Sequence, residues 1–320
     1  MTEPGFGTQH GVHSLRTWNT KERCGTLETE QGEVIEGGDY EGKCKVFLQH
    51  NIICGEPPPL TEQTPTRCTH LMKEAMGAVK RALAKTKSSS APGPDRVTWR
   101  LQKALKDTRL GTAVLEVIGQ MADVGNRYYA EEKWREMVMV MSLKPRRDRS
   151  KVKGWRPMVL LNVIGKLTDK VVAERMMKKE ELFHARAFAG WMGRGAIDSV
   201  KLIDEIRKKA GGDVYGRDIK PAFNSLDGDV MRKVLREHEG LRDRVDYFMR
   251  PRTFDVKVNR RVIGKGMMVG GTPQGSPLSP TLFTAYMSSM VWEAERLLRH
   301  GEEETKHRME ARSQRPQLLP

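Results

Sequence analysis

The spacing of apolar residues along the chain predicts several helices and a few strands. From Leu71 to Leu83, apolar residues recur every three or four positions, as in an amphipathic helix. The same spacing predicts further helices over residues 99–105, 113–124, 163–176, 195–210 and 279–298. A short apolar run from Met137 to Met141 predicts a buried strand, and Val214–Ile219 predicts another. Alternating apolar residues on both sides of Asn259 predict a β-hairpin.

Helices mixed with antiparallel strands predict an α+β fold. Residues 1–66 are rich in Gly, Pro and Glu and have weak periodicity, so they are expected to form a poorly ordered extension or linker. The folded unit is expected to span residues 67–298, and a polar tail follows over 299–320. A chain of 320 residues is long enough for one large domain or two small ones.

Charge is unevenly distributed along the chain. The net charge is +15, but residues 1–68 hold six Lys/Arg and ten Asp/Glu, a sum of −4, so residues 69–320 carry +19. Residues 144–156, here called the basic loop, hold seven Lys/Arg and one Asp. A solvated basic surface is the alternative, but this clustering favours contact with the phosphates of a nucleic acid. The run lacks the wide apolar face that membrane-surface binding needs. The predicted template contacts are Arg146, Arg147, Arg149, Lys151 and Lys153.

The sequence shows no apolar stretch near the ~20 residues that span a bilayer. Its N-terminus has neither the basic start nor the apolar segment of a secretory signal, so an intracellular location, nuclear or cytoplasmic, is expected. The cysteines Cys24, Cys44, Cys54 and Cys68 show no C-x-x-C spacing. Free thiols are therefore expected, with a zinc site as the alternative.

Two strings of residues carry candidate chemistry. Residues 270–280, here called the Gly-Pro loop, read GGTPQGSPLSP and precede an apolar run. Glycines and prolines constrain the backbone, so the string predicts a rigid loop that presents Gln274 before a helix with Ser279 as its N-cap. The second string runs from Tyr215 to Asn224 and places Asp218 at the end of a predicted strand. Such a carboxylate either caps the next turn or binds a metal ion.

These two strings resemble motifs B and A of reverse transcriptases, in the form found in non-LTR retrotransposons. Three further groups of residues resemble the family in the same order: 90–95, the pair 143–145 and 154–162, and 188–194. The stretch 250–254 is similar to the Tad-like group, and the resemblance covers about two-thirds of the chain, roughly residues 80–290. Departures are Arg96 and Pro221 where the family usually has Gly, and Asn224 where many relatives have Asp.

The resemblance implies an RNA-directed DNA polymerase with the fingers and partial palm of a right-hand polymerase, and no thumb. It implies that Asp218 and the carbonyl of Ile219 bind Mg²⁺, of which the complete site holds two ions. It also implies the partners: an RNA template, a DNA primer and deoxynucleoside triphosphates. The oligomeric state stays open.

The resemblance also assigns residues to the nucleotide. Lys144 and Arg156 are expected to hold the triphosphate, and Gln274 and Gly275 to touch the nucleotide and the template base. Phe223 either crowds a 2′-hydroxyl or is a core residue. Trp155, inside the basic loop, either stacks on a base or sugar or anchors the loop by packing.

One motif of the family is missing from the sequence. The aromatic-x-Asp-Asp hairpin supplies further carboxylates in the family, and the chain contains no Asp-Asp pair. The chain is therefore expected to stop before that strand and to be inactive by itself. Two alternatives stay open: a non-catalytic basic remnant that binds nucleic acid, and a splicing cofactor similar to group II intron maturases, which would carry a C-terminal RNA-binding domain.

Overall fold

The structure is a computed structural model that describes most of the chain between Gly25 and Gln314. The described residues are 26–36, 38–51, 72–122, 135–190, 193–211, 213–214, 216, 218–219, 222–258 and 261–313. The predictions made for Cys24, Cys54, Cys68 and Pro221, and for the turn at 259–260, lie outside them.

Pairs of strands and runs of helices follow one another along the described chain, which confirms the α+β prediction. The helices are α1 (Tyr40–Asn51), α2 (Met72–Ala84), α3 (Trp99–Leu105), α4 (Arg109–Ala122), α5 (Val163–Met176), α6 (Ala196–Ala210), α7 (Gly228–Val234), α8 (Glu239–Met249) and α9 (Leu278–Ser313). The strands are β1 (Leu27–Glu28), β2 (Val34–Ile35), β3 (Met137–Leu143), β4 (Trp155–Leu161), β5 (Arg252–Val258) and β6 (Arg261–Met268).

The main sheet has four strands in the order β4-β3-β5-β6. Strands β3 and β4 are antiparallel and enclose the basic loop, and β5 and β6 form the predicted antiparallel hairpin. The two pairs join through a parallel contact between β3 and β5. Met137, Met139 and Met141 alternate along β3, so they point to one face of the sheet, where they are buried.

Two apolar cores hold the fold together. The larger core is helical and is built from α2, α4, α5, α7, α8 and the first turns of α9. The second core lies on the sheet and buries β3–β6 against Leu27, Ile35, Cys44 and Phe47 from the N-terminal region. The ring of Phe47 meets Trp155 edge to face, with ring centres 5.9 Å apart.

The prediction that residues 1–66 are poorly ordered is therefore wrong for residues 26–36 and 38–51, which form β1, β2 and α1. Their apolar residues are widely spaced and become a core only when they pack on the sheet, so local periodicity does not reveal them. The C-terminal helix also runs past the predicted end at 298 to Ser313, into the predicted polar tail. Residues 301–312 hold four Glu, two Arg, one Lys and one Ala, all residues of high helix propensity.

The strand predicted over Val214–Ile219 is not formed at the described positions of that stretch. A strand exists by pairing its backbone with a neighbour, and no strand of the described sheet pairs with these residues. Val214 and Ile219 are accordingly 56% and 40% exposed.

Candidate nucleotide and nucleic-acid site

The Gly-Pro loop and the stretch after Asp218 meet at Gly271. This glycine has φ of 71°, and a Cβ added there would lie 2.5 Å from Asn224 Cα and 2.6 Å from the Phe223 carbonyl oxygen. The N–H of Thr272 donates a hydrogen bond to that same carbonyl, at 2.9 Å. Only glycine permits both this backbone conformation and this close approach. The structure thus brings together two strings that are about 50 residues apart in sequence.

The other side of the Gly-Pro loop contacts the edge strand β4. The N–H of Val159 donates to the carbonyl of Gln274 at 3.1 Å, and a Cβ on Gly275 would lie 2.6 Å from the Val159 carbonyl oxygen. Gln274 and Gly275 are both exposed. The amide predicted to touch the nucleotide is therefore accessible and is fixed to the sheet through its own backbone.

Serine hydroxyls fix the Gly-Pro loop from inside the molecule. Ser276 donates to the buried carboxylate of Asp169 at 2.8 Å and accepts from the N–H of Leu278 at 3.1 Å. Ser279 donates to the carbonyl of Pro273 at 2.9 Å. The prediction that Ser279 is the N-cap is wrong, because α9 begins one residue earlier at Leu278 and Ser279 lies inside its first turn.

Ala189 and Gly190, in the predicted string at 188–194, pack on the first turns of α9. Gly190 has φ of 67°, and a Cβ there would lie 2.5 Å from the Pro280 carbonyl oxygen. Thr281 donates to the Gly190 carbonyl at 3.2 Å, and Thr284 donates to the Ala189 carbonyl. These contacts fix the start of α9 immediately behind the Gly-Pro loop.

The early string at 90–96 packs on the other end of β4. A Cβ on Gly93 would lie 2.5 Å from the Leu161 carbonyl oxygen, and the N–H of Asp95 donates to Asn162 Oδ1 at 3.0 Å. Arg96 has φ of 57°, in the left-handed region that favours glycine. This conformation gives a physical reason for the family's usual Gly at that position.

The carboxyl of Asp95 sits at the start of α5. Burial raises its pKa, against hydrogen bonds from the N–H groups of Val97 and Val163 and the charge of Lys166, which lower it. Burial in turn lowers the pKa of Lys166, against the attraction of Asp95. This pair joins the 90–96 string to α5 and plays no direct part in the predicted site.

The basic loop is held by hydrogen bonds to its own backbone. Lys144 donates from Nζ to the Lys153 carbonyl at 2.9 Å, and the indole N–H of Trp155 donates to the Arg149 carbonyl at 2.9 Å. Trp155 is 1% exposed. Of the two roles considered for Trp155, the structure therefore supports the packing anchor, because a buried indole cannot stack on a base.

Lys144 and Arg156 lie on the same face of the β3–β4 hairpin. Arg156 pairs with Ser142 across the two strands, so their side chains share a face. Lys144 follows Ser142 by two residues, and its N–H donates to the Gly154 carbonyl at 2.8 Å, which continues the ladder. Arg156 is exposed, as are Arg146, Arg147, Arg149, Lys151 and Lys153.

Two cations of the basic loop pair with acids of the β1–β2 hairpin (residues 27–35), here called the acidic hairpin. Lys151 lies 2.5 Å from Glu28, and Lys153 lies 3.2 Å from Glu30. The N–H of Glu28 also donates to the Ser150 carbonyl at 2.5 Å. Sequence reasoning missed these contacts, because the acids are more than 100 residues from the loop. The excess of acidic residues near the N-terminus was the available signal.

Asp218 is exposed and lies outside any strand. Within the described ranges, no three His, Cys, Asp or Glu residues come close enough together to hold a metal ion. A two-ion Mg²⁺ site needs several oxygen ligands, mostly carboxylates. The described residues supply Asp218 and the Ile219 carbonyl, so by themselves they do not fit such a site.

Residues 144–300 match the sequence profile of the family described as reverse transcriptase (RNA-dependent DNA polymerase). The match begins at Lys144 and includes the basic loop, β4, the Phe223 segment and the Gly-Pro loop. The chain therefore contains a reverse transcriptase domain, and it is homologous to polymerases of non-LTR retrotransposons, as predicted. Its assignment to the Tad-like group stays a prediction.

The similar proteins come from mobile elements of flies. The chain is 25% identical over 222 residues to the RNA-directed DNA polymerase from mobile element jockey of Drosophila melanogaster, and equally to that of Drosophila funebris. Each alignment covers 66% of this chain and 24% of the relative. A probable RNA-directed DNA polymerase from transposon BS of Drosophila melanogaster is 22% identical over 175 residues, 50% of this chain and 19% of that protein. The chain thus spans about a quarter of the length of the jockey relatives.

None of the helices in the described ranges is both long and apolar enough to cross a membrane.

Proposed function

We propose that this chain is the template-binding and nucleotide-binding part of an RNA-directed DNA polymerase of a non-LTR retrotransposon. Its partners are an RNA template, a DNA primer and deoxynucleoside triphosphates. In this proposal β3, the basic loop and β4 belong to the fingers, and the residues from Asp218 through the Gly-Pro loop belong to the palm.

The observation that carries the proposal is the position of the Gly-Pro loop on β4. The carbonyl of Gln274 accepts a hydrogen bond from the N–H of Val159. Arg156 lies three residues before Val159 on β4, so the two backbone positions are about 10 Å apart at the usual rise of a strand. One nucleoside triphosphate can bridge that distance. Lys144 and Arg156 would hold its phosphates, while Gln274 and Gly275 would meet the base pair. The expected role of Phe223 at the sugar stays a prediction.

Mg²⁺ is part of the proposal because the reverse transcriptase family uses it, and the described residues give no evidence of their own for it. When bound, Mg²⁺ would neutralise the phosphates and activate the attacking hydroxyl. Asp218 and the Ile219 carbonyl are the ligands that this chain would offer. They are fewer than two ions need, and no catalytic step follows from them.

A non-catalytic protein that binds nucleic acid is the second candidate. The exposed basic loop favours it, because binding to phosphates needs cations and no complete metal site. The maturase alternative gains no support from the similar proteins, whose names describe polymerases.

Salt-dependent binding of single-stranded RNA tests the part that both candidates share. The purified chain should bind RNA with an affinity that falls linearly with salt on a log–log scale. Replacing Arg146, Arg147, Arg149 and Lys151 by Gln should reduce the slope by about 0.7 for each phosphate that the loop no longer neutralises.

A matched control removes the same charge elsewhere. The control replaces four exposed cations of α6 by Gln: Lys201, Arg207, Lys208 and Lys209. This replacement should change the slope of the salt dependence much less. Equal losses in both variants would mean that net charge alone drives binding. An unchanged slope in the loop variant would place the RNA-binding surface elsewhere.

A further inference from the structure

Arginines gather around Tyr247, between α4, α5, α8 and the starts of β3 and β5. The guanidinium carbons of Arg135, Arg244 and Arg250 lie 4.9, 5.2 and 5.8 Å from the centre of the Tyr247 ring. Arg135, Arg244, Arg252, Tyr247 and Asp169 line one pocket, here called the arginine pocket, whose remaining walls are mainly apolar.

The charged groups that line the arginine pocket do not balance. It is lined by three guanidiniums and one carboxylate, an excess of two positive charges. Arginine does not lose its proton in proteins. Burial lowers the pKa of Arg244 and of Arg252, which reflects the cost of keeping these charges out of water. Burial also raises the pKa of Tyr247, so its phenol stays neutral and cannot offset them.

The hydrogen-bond donors in the pocket are also incompletely used. Arg252 is 6% exposed, and one of its terminal nitrogens donates to the Phe248 carbonyl at 2.9 Å. The Nε atoms of Arg244 and Arg252 are buried, and no acceptor for them is found in the described structure. A buried donor without an acceptor is costly, so such donors usually have a partner, either an ordered water or a bound ion.

We propose that the arginine pocket binds a phosphate group that carries two negative charges, as inorganic phosphate or a phosphate monoester does. Such an anion carries about −1.5 to −2 at neutral pH, which matches the excess charge of the lining. Planar guanidiniums donate in pairs to its oxygens, and the Tyr247 hydroxyl can donate as well. A diester or a halide would leave part of the positive charge uncompensated.

The arginine pocket lies directly behind the Gly-Pro loop. Asp169 faces Arg244 and Arg252 and accepts the hydrogen bond of Ser276 in that loop. A phosphate in the pocket would compete with Asp169 for the two arginines. Its binding therefore acts on the residue that holds the Gly-Pro loop in place.

Calorimetric titration of the whole 320-residue chain with inorganic phosphate tests the proposal, with sodium chloride at the same ionic strength as reference. We expect saturable binding at one site and a higher melting temperature in phosphate. Arg244→Gln should weaken phosphate binding about tenfold or more, because it removes a charge-assisted hydrogen bond. The matched control Arg242→Gln, on the same helix but outside the pocket lining, should bind like the parent.

A second variant protects the test against misfolding. Tyr247→Phe removes one hydroxyl, keeps the ring that the arginines pack on, and should weaken phosphate binding several-fold. Equal stabilisation by chloride and phosphate, or unchanged affinity in both Arg244→Gln and Tyr247→Phe, would overturn the proposal. The proposal would also be overturned if the parent chain does not bind phosphate while Arg244→Gln lowers the free energy of unfolding. In that case contacts within the chain itself would account for the arginine pocket.

Oligonucleotides distinguish the sources of the phosphate. If a 5′-phosphorylated oligonucleotide competes with inorganic phosphate and its 5′-hydroxyl counterpart does not, the pocket takes the end of a nucleic acid. If neither competes while inorganic phosphate binds, the pocket takes free phosphate. Either result supports the site, whereas equal competition by both oligonucleotides would contradict the preference for a monoester.

Discussion

Contact between the two motif strings depends on Gly271. Two separate costs would follow from a side chain there: the left-handed backbone conformation, and overlap with the backbone of Phe223 and Asn224. Backbone atoms cannot move aside as the end of a flexible side chain can. The second cost should therefore exceed the first.

Gly271→Ala should lower the free energy of unfolding by more than about 3 kcal/mol, from conformational strain of about 1–2 kcal/mol plus the overlap. Gly193→Ala is the matched control, because Gly193 has φ of 81° and no atom of the described residues lies within 4 Å of an added Cβ. Gly193→Ala should lower the free energy of unfolding only by the conformational strain. Chemical denaturation of both variants measures the difference, and equal losses of stability would show that Gly271 is needed for its backbone angle alone.

Several single residues show what the sequence could and could not predict about the site. The exposed positions of Gln274 and Arg156 agree with the sequence prediction, because short motifs specify which backbone or side chain is presented, while their contacts with a nucleotide stay predictions. The roles of Trp155 and Asp169 depend on burial by elements that are distant in sequence, and a short local stretch of sequence does not reveal that burial. Sequence reasoning left two roles open for Trp155 and did not single out Asp169.

At the scale of elements, the acidic hairpin holds part of the basic loop in ion pairs. Glu28 and Glu30 pair with Lys151 and Lys153, which are 49% and 70% exposed in their side chains. Exposed ion pairs of this kind are worth at most about 1 kcal/mol, so a phosphate can displace the glutamates. Under the proposed function, the acidic hairpin would therefore weaken nucleic-acid binding by competing for two cations.

Replacing Glu28 and Glu30 together by Gln should strengthen RNA binding by the 320-residue chain at low salt and steepen its salt dependence by up to about 1.4, or 0.7 for each cation released. Titrations of labelled RNA at several salt concentrations measure both effects. Glu33 and Glu36 are exposed acids of the same region. Their replacement by Gln should have a smaller effect, and similar changes in both variants would mean that the acids act only through long-range charge.

Elements with their own periodicity were predictable. Helices α2 and α5 and strands β3, β5 and β6 carry enough local pattern to be identified with little error in their bounds. Helix α6 was predicted as well, but its apolar stripe (Ile197, Val200, Ile203 and Ile206) is 43–71% exposed in the described structure. Periodicity thus indicates a helix without showing whether its face is buried. The strand predicted at Val214–Ile219 failed for a related reason, since pairing with a neighbour decides whether a strand forms.

At the scale of the whole molecule, the Gly-Pro loop links the two cores. Val159 and Leu161 of β4 belong to the sheet core, while the Gly-Pro loop that bonds to Val159 leads into α9 of the helical core. A substitution in either core should therefore affect the Gly-Pro loop. Under the proposed function, this arrangement would bind a nucleotide and a template without itself supplying the acids of a polymerase.

We predict that the 320-residue chain binds RNA but does not extend a primer. The sequence has no Asp-Asp pair, and Asp218 is the carboxylate that matches a motif of the family. One carboxylate leaves most of the charge of two divalent ions to the substrate phosphates, so the ion beside the attacking hydroxyl is poorly held. Each 1.36 kcal/mol of lost transition-state stabilisation slows the reaction about tenfold, and a missing set of ligands costs several such steps.

The assay is extension of a labelled DNA primer on an RNA template with Mg²⁺ and deoxynucleotides, beside an RNA-binding measurement on the same preparation. Retained binding with no extension is the expected outcome, because the cations and the Gly-Pro loop are present while the carboxylates are too few. Loss of RNA binding would instead contradict the proposed function. Mg²⁺-dependent extension that Asp218→Ala abolishes would contradict the prediction and show that another acid of this chain completes the metal site.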